Sequence, residues 1–396
     1  MKLLHIHKWN HDFYVDDYVE KNNLKELKSK ELEKFIYNHN FYYGTALTKS
    51  FEKLGYQTNN IIEDNYLGNN KWFEENYGKS NISYDEKLLR RIKNFNPNII
   101  FFQDMTTLSE QMIDEIDFEL KELKLKIVSI GFPIENKQLY KKFDLVIFRY
   151  PDLYNKNNSL GKESMMLYHS FNNNIYEKLN FKKFKLRNND INFIGGSYGL
   201  NHSSHKKRYF YLRKLSENKK IDLYISENYN KFQLRRFYLC KIYKFLPKRL
   251  IFLTIKLLIN LKIFSEKNKF IIRLKNFDHE IKNNKLFYFG PLNKILKQKN
   301  KFLYGNDLFN KLIDTKISLN IHTDKLTTNV ANNRMFEITG CGSCMFVEDR
   351  ENLEELFKKE PSYYDWMMKS EFPLSTKKVI TAIKLRGFNQ GSLNFN

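Results

Sequence analysis

The chain has 396 residues, 42% of them hydrophobic, which excludes a disordered polymer and calls for two domains. Seven Pro and 15 Gly exclude collagen-like or linker-like chains, and three Cys exclude a disulfide-stapled secreted scaffold. A net charge of +22 suits solvated faces in a Lys- and Asn-rich composition. It also suits an anionic partner: nucleic acid, anionic lipid or a phosphorylated substrate.

The N-terminus reads as a buried strand, Lys2–His7, with no apolar leader. Thr45–Leu54 has helical spacing at Ala46, Leu47, Phe51 and Leu54, Gly55 stops it, and a return strand begins at 56–58. Strand 97–102, a charged helix from Leu108 to Lys124, strand Lys126–Ile130 and strand Phe143–Phe148 follow. The polar, basic stretch Lys178–Asp190 is the expected linker between domains at 1–180 and 181–396. Beyond it the alternation resumes with strand Ile191–Ile194, helix Lys206–Glu217 and strand Ile221–Ile225. After an insertion come strand Leu286–Phe289, helix Asp307–Asp314, strand Ile317–Ile321, helix Ala331–Thr339, strand Ser343–Val347 and a helix from Glu351. Such alternation predicts an α/β protein with two Rossmann-like halves.

Within the insertion, 231–275 interleaves Lys and Arg with Leu, Ile and Phe. It reads as an ordinary amphipathic helix with snorkelling lysines, or as a surface resting on anionic lipid. Lys248, Arg249, Lys256 and Lys262 interrupt its apolar run below the ~20 residues a membrane span needs. A cytoplasmic protein is expected, peripheral to the inner face of the membrane on the second reading.

The window 316–357 reads strand, loop, helix, Gly turn, strand. A carboxylate at Glu337 can accept from a ribose diol, and Arg334 with nearby backbone N–H groups can meet a diphosphate. The same spacing fits a capped structural helix with a solvated charge pair. Gly195-Gly196-Ser197, after a strand and before a helix, lets the backbone approach a diphosphate or makes a plain tight turn. Cys341-Gly342-Ser343-Cys344 is formally C-x-x-C but has no second ligand pair, so small-residue packing is expected there. His5, His7 and His11 alternate as metal ligands do, and as hydrogen-bonded core histidines do; no metal is expected.

Asn332, Arg334, Phe336, Glu337, Thr339, Gly340 and Gly342, followed by Asp349, Asn352 and Leu353, resemble the motif of the CgeB-type (spore-maturation) glycosyltransferases of the GT-B superfamily. Lys316–His322 is similar to that family's S-K-I-x-L-N-x-H strand, with Thr315 for the Ser. Tyr304–Leu308 resembles its G-x-x-M element, and 192–196 with His205–Arg208 resembles its F-I-G-S…H-x-x-R element. The resemblance covers about 140 to 357 and is most specific over 316–357.

It implies a GT-B-like pair of Rossmann-like domains facing across a cleft. The implied reaction moves a sugar from a nucleotide-activated donor to a glycan, glycolipid or protein acceptor, with no bound cofactor beyond the donor itself. Donor-binding residues are then Gly195, Gly196, Ser197, Arg208, His322, Asn332, Arg334, Glu337, Thr339 and Gly340. Glu337 is similar to the second glutamate of the E-x7-E motif of related retaining enzymes. The first would fall at Asn329, which leaves the stereochemical outcome open. A catalytic base is expected after a strand of the N-terminal half, at His11 or Asp104. Past Phe357 the family pattern is lost, and a truncated end lacking the last strands and a return helix is expected. Two other readings follow: a non-catalytic nucleotide-sugar or glycan-binding relative with a damaged C-terminus, and, less favoured, a basic nucleic-acid-binding protein.

Overall fold

The computed structural model describes residues 1–8, 18–39, 45–103, 109–131, 134, 136–172, 175, 187–196, 206–215, 221–226, 302–322, 329–359 and 380–384. The chain divides into two compact units. One comprises 1–189, 304–320 and 328–396; the other comprises 190–303 and 321–327.

The first unit opens on a parallel sheet of β1 (Lys2–His7), β2 (Gln57–Ile62), β3 (Ile99–Gln103), β4 (Leu125–Ile130), β5 (Leu145–Phe148) and β6 (Glu163–Met166). Their order is β2-β1-β3-β4-β5-β6, with every pair parallel. Strands covered on both faces must be apolar throughout, and Leu3, Leu4, Ile6, Ile100 and Phe102 are all buried. β6, at the edge, alternates exposed and half-buried residues instead.

The connecting helices are α1 (Ser29–Asn38), α2 (Ala46–Glu52), α3 (Tyr66–Tyr77), α4 (Tyr84–Phe95), α5 (Glu110–Glu119), α6 (Lys137–Tyr140) and α7 (Pro151–Asn157). Local chemistry sets their ends. Ser83 accepts from the Glu86 N–H at the start of α4, and Asn96 closes it with φ +50°. α5 is shorter than the predicted 108–124 helix. Ser109 caps it through the Met112 N–H, and buried Leu120 leaves helical geometry at its end. Gly55 follows α2 with φ +83°, the predicted stop.

In the second unit β7 (Asn189–Gly196) pairs in parallel with β8 (Ile221–Ser226), and α8 (Lys206–Leu215) lies between them in sequence. The first unit also contains α9 (Gly305–Ile313), β9 (Thr315–Asn320), α10 (Asn333–Gly340), β10 (Cys344–Glu348) and α11 (Leu353–Leu356). β9 and β10 are parallel. β11 (Lys358–Lys359) and β12 (Ile380–Lys384) follow; β12 is antiparallel to both β10 and β11. Past Phe357 the described residues are 358, 359 and 380–384, and the expected absence of a return helix concerns residues outside them. Of the predicted linker only the last four residues, 187–190, are described, and the 231–275 segment and the strand at 286–289 lie wholly outside the described residues. Among the described residues no helix is long and apolar enough to cross a membrane.

Candidate functional site

The α10 turn is built from the end of β9 upward. Asn320, the last residue of β9, exchanges two amide hydrogen bonds of 3.1 Å with Asn332. Asn332 also caps α10, its Oδ1 accepting the Met335 N–H at 3.1 Å. One side chain thus fixes the helix start and ties it to the strand. Asn332→Ala is expected to cost about 1–2 kcal/mol, the upper part of the N-cap range, because the Asn320 amide loses its partner as well. The urea midpoint measures it, and a change within error would reduce Asn332 to a surface residue.

On α10, Arg334 and Glu337 form an ion pair of 2.8 Å one turn apart, each about one-fifth exposed. Thr339 turns inward and donates its hydroxyl to the Met335 carbonyl at 2.7 Å. Gly340 packs under Phe171: a Cβ there would lie 2.3 Å from the ring. Gly342 completes the turn with φ +68°. Arg187 donates to the carbonyls of Gly342 at 2.6 Å and Thr315 at 2.5 Å. Glu337 and Asn333 share the lining of a small solvent-open depression, about 290 Å³ with its mouth, with Ser170, Phe171, Asn172 and Phe309. Its lining sets two aromatic rings beside a carboxylate and amides.

Cys341 is buried and its thiol is pushed well up by desolvation, then by the Glu337 charge, which makes it an inert packing group. Cys344 is half-buried. Among the described residues no group of three or more His, Cys, Asp or Glu is placed to hold a metal.

In the second unit, Gly195 and Gly196 end β7. A Cβ on Gly195 would meet the Phe193 ring at 2.9 Å. Arg208 of α8 is buried and donates to the carbonyls of Gly196 at 3.0 Å and Ile321 at 2.9 Å. It binds two chain segments together through backbone oxygens, a structural use of the guanidinium that spacing did not suggest. His322 is buried beside Ile321. Ser197, His11 and Asp104 lie outside the described residues. The expected donor residues therefore fall in two sets: Asn332, Arg334, Glu337, Thr339 and Gly340 on α10, and Gly195, Gly196, Arg208 and His322 in the second unit.

The carboxyl ends of β1 and β3 flank the point where the first sheet reverses its order. In doubly wound sheets this is where ligands enter. His5 and His7 of β1 are both buried, their rings stacked 4.5 Å apart. His5 Nδ1 hydrogen-bonds to Asn60 at 3.1 Å and Nε2 to Gln103 at 3.0 Å. Both rings are thus packed in the core of the first sheet.

The polar partners of the turn that sequence reading missed are Asn320, Arg187 and Asp152, the last of which accepts from the Asn329 amide. The first lay inside a quoted motif, but the other two are remote in sequence and carried no local signal.

Residues 265–368 match the family described as "Glycosyl transferase-like". Among solved structures, the chain is similar to an alpha,alpha-trehalose 6-phosphate synthase from Burkholderia multivorans, at 8% identity and a TM-score of 0.33. That similarity covers 72% of this chain and 68% of the other. No curated protein matches the sequence. The stretch from 265 to 368, which contains the whole α10 turn, is therefore similar to the glycosyl transferase-like family.

Proposed function

We propose that the protein is a nucleotide-sugar-dependent glycosyltransferase of GT-B type and CgeB-like character, with its donor held at the α10 turn. The observation that carries this reading is the Arg334–Glu337 pair, partly exposed, with Glu337 on the aromatic-lined depression and inside the matched stretch. Glu337 accepts from the ribose diol. Arg334 supplies positive charge to the diphosphate that leaves, the role an electrostatic stabiliser plays in group transfer. The acceptor, a glycan, glycolipid or protein, meets the first sheet, where His11 or Asp104 takes the proton from its hydroxyl. Residues 181–396 form the donor side and 1–180 the acceptor side. The chain works in the cytoplasm.

Thermal shifts against UDP-, GDP-, CMP- and dTDP-sugars test this reading. A donor at 100 times its Kd is expected to stabilise the wild type by about 2.7 kcal/mol. Glu337→Ala and Arg334→Ala are expected to abolish that shift while leaving the ligand-free Tm close to wild type. No shift with any donor from the folded protein would reject the proposal.

A further inference from the structure

Two residues ahead of the α10 cap are gripped by side chains from elsewhere in the first unit. Asp152, in the first turn of α7, accepts the Asn329 backbone N–H at 3.2 Å and its side-chain amide at 2.7 Å. Asn352, just ahead of α11, treats the next residue in the same way. Its Oδ1 accepts the Val330 N–H at 2.8 Å and its Nδ2 donates to the Val330 carbonyl at 2.7 Å. The same Nδ2 lies 3.2 Å from the Tyr168 hydroxyl, which donates to Glu355 at 3.1 Å.

Four hydrogen bonds therefore converge on two consecutive residues, and two of them end on a carboxylate. The loop leads directly into Asn332, the α10 cap. Any residue but proline supplies the backbone N–H; the Asn329 side-chain amide adds the second donor to Asp152. A carboxylate there would oppose it charge to charge and lose the side-chain donor.

We propose that Asp152 is a positioning residue for the α10 site: by reading the amide of Asn329 it sets where α10 begins and hence where Arg334 and Glu337 stand. The inference rests on the donor reading above. It adds that helix α7, far from α10 in sequence, governs how tightly that site holds a nucleotide.

The test is a double-mutant cycle read by nucleotide affinity, using the donor nucleotide that stabilises the full-length wild type. Asn329→Asp is expected to weaken affinity about tenfold, since hydrogen bonds to a charged group are lost and like charges face each other. Adding Asp152→Asn restores the pairing with donor and acceptor exchanged. The double variant N329D/D152N is expected to return to within about twofold of wild type. Should N329D fail to fold, Asp152→Ala removes both acceptors and carries the same test, with the same tenfold loss expected.

Ligand-free Tm is recorded for each variant. A lowered Tm with unchanged affinity, or no rescue in the double variant, overturns the positioning role alone. A wild type that binds no nucleotide, or Glu337→Ala that binds as wild type does, overturns the donor reading and this inference with it.

Discussion

Lowering the pH from 6.5 to 4 is expected to remove about 3 kcal/mol of stability through His5 alone. The ring is fully buried in the first sheet, and burial is the main cause that brings its pKa down from 6.5 to about 4. Hydrogen bonds to Asn60 and Gln103 oppose that shift, and the Arg149 charge adds to it. The sign follows from which state binds the proton first. Above pH 6.5 both states are neutral and the full stability is present. Below it the unfolded chain gains a proton that the folded chain refuses, so stability falls until the folded ring titrates near pH 4. His7 works in the same direction, held well below its ordinary value by burial and by the neighbouring His5.

Against the 5–15 kcal/mol typical of a domain, this loss moves an unfolding midpoint far. Urea midpoints at pH 7, 6, 5.5 and 5 should fall steeply for the wild type and more gently for His5→Gln, which keeps polar partners for Asn60 and Gln103 but cannot titrate. Parallel profiles for the two proteins would show that His5 is not the group responsible.

Gly305→Ala is expected to cost about 3 kcal/mol or more. Gly305 opens α9 with φ +55°, and a Cβ would stand 2.3 Å from the His39 carbonyl oxygen. That oxygen is main chain and already accepts the Asn306 N–H at 2.9 Å, while the Asn306 side chain donates to the Asn38 carbonyl at 3.2 Å. The start of α9 thus docks on the last carbonyls of α1, which a helix end otherwise leaves unsatisfied. An added methyl group must strain the backbone and separate the two. Gly55→Ala is the control: its φ is +83° but nothing lies within 4 Å, so only the backbone penalty of about 1 kcal/mol is expected. Equal losses at the two glycines would remove the argument for docking.

Much of the scaffold was legible because buried parallel strands write themselves as apolar runs. Lys2–His7 is β1 to the residue, and the predicted strands 126–130, 191–194 and 221–225 lie inside β4, β7 and β8. α3 was not legible. Its sequence carries Gly68, Asn69 and Asn70, poor helix formers, and tertiary bonds hold it: the Asn69 amide donates to the Ile62 carbonyl at 2.9 Å.

The site divides in the same way. Arg334 and Glu337 one helical turn apart were visible as a pair, and the pair is there. Asn332 and Thr339 were read as ligand contacts, yet each has structural bonds that its spacing could not disclose. Cap geometry depends on the Asn320 amide and on which carbonyl the Thr339 hydroxyl finds. Arg187 and Asp152 meet the turn across more than 100 residues of sequence, a separation at which no local pattern survives.

The first compact unit is discontinuous, and this bears on how the protein comes off the ribosome. Its opening sheet is synthesised long before α9, β9 and α10, with about 110 residues of the other unit between them. At ~5–20 residues per second, that separation lasts on the order of 10 s. Throughout it the carbonyls at the end of α1 and the carboxylate of Asp152 wait for partners not yet made. Closing so long a loop is slow compared with forming the opening sheet. The nascent chain therefore passes through a half-built state in which the opening sheet is complete and the hydrogen bonds to α9 and to Asn329 are still unmade.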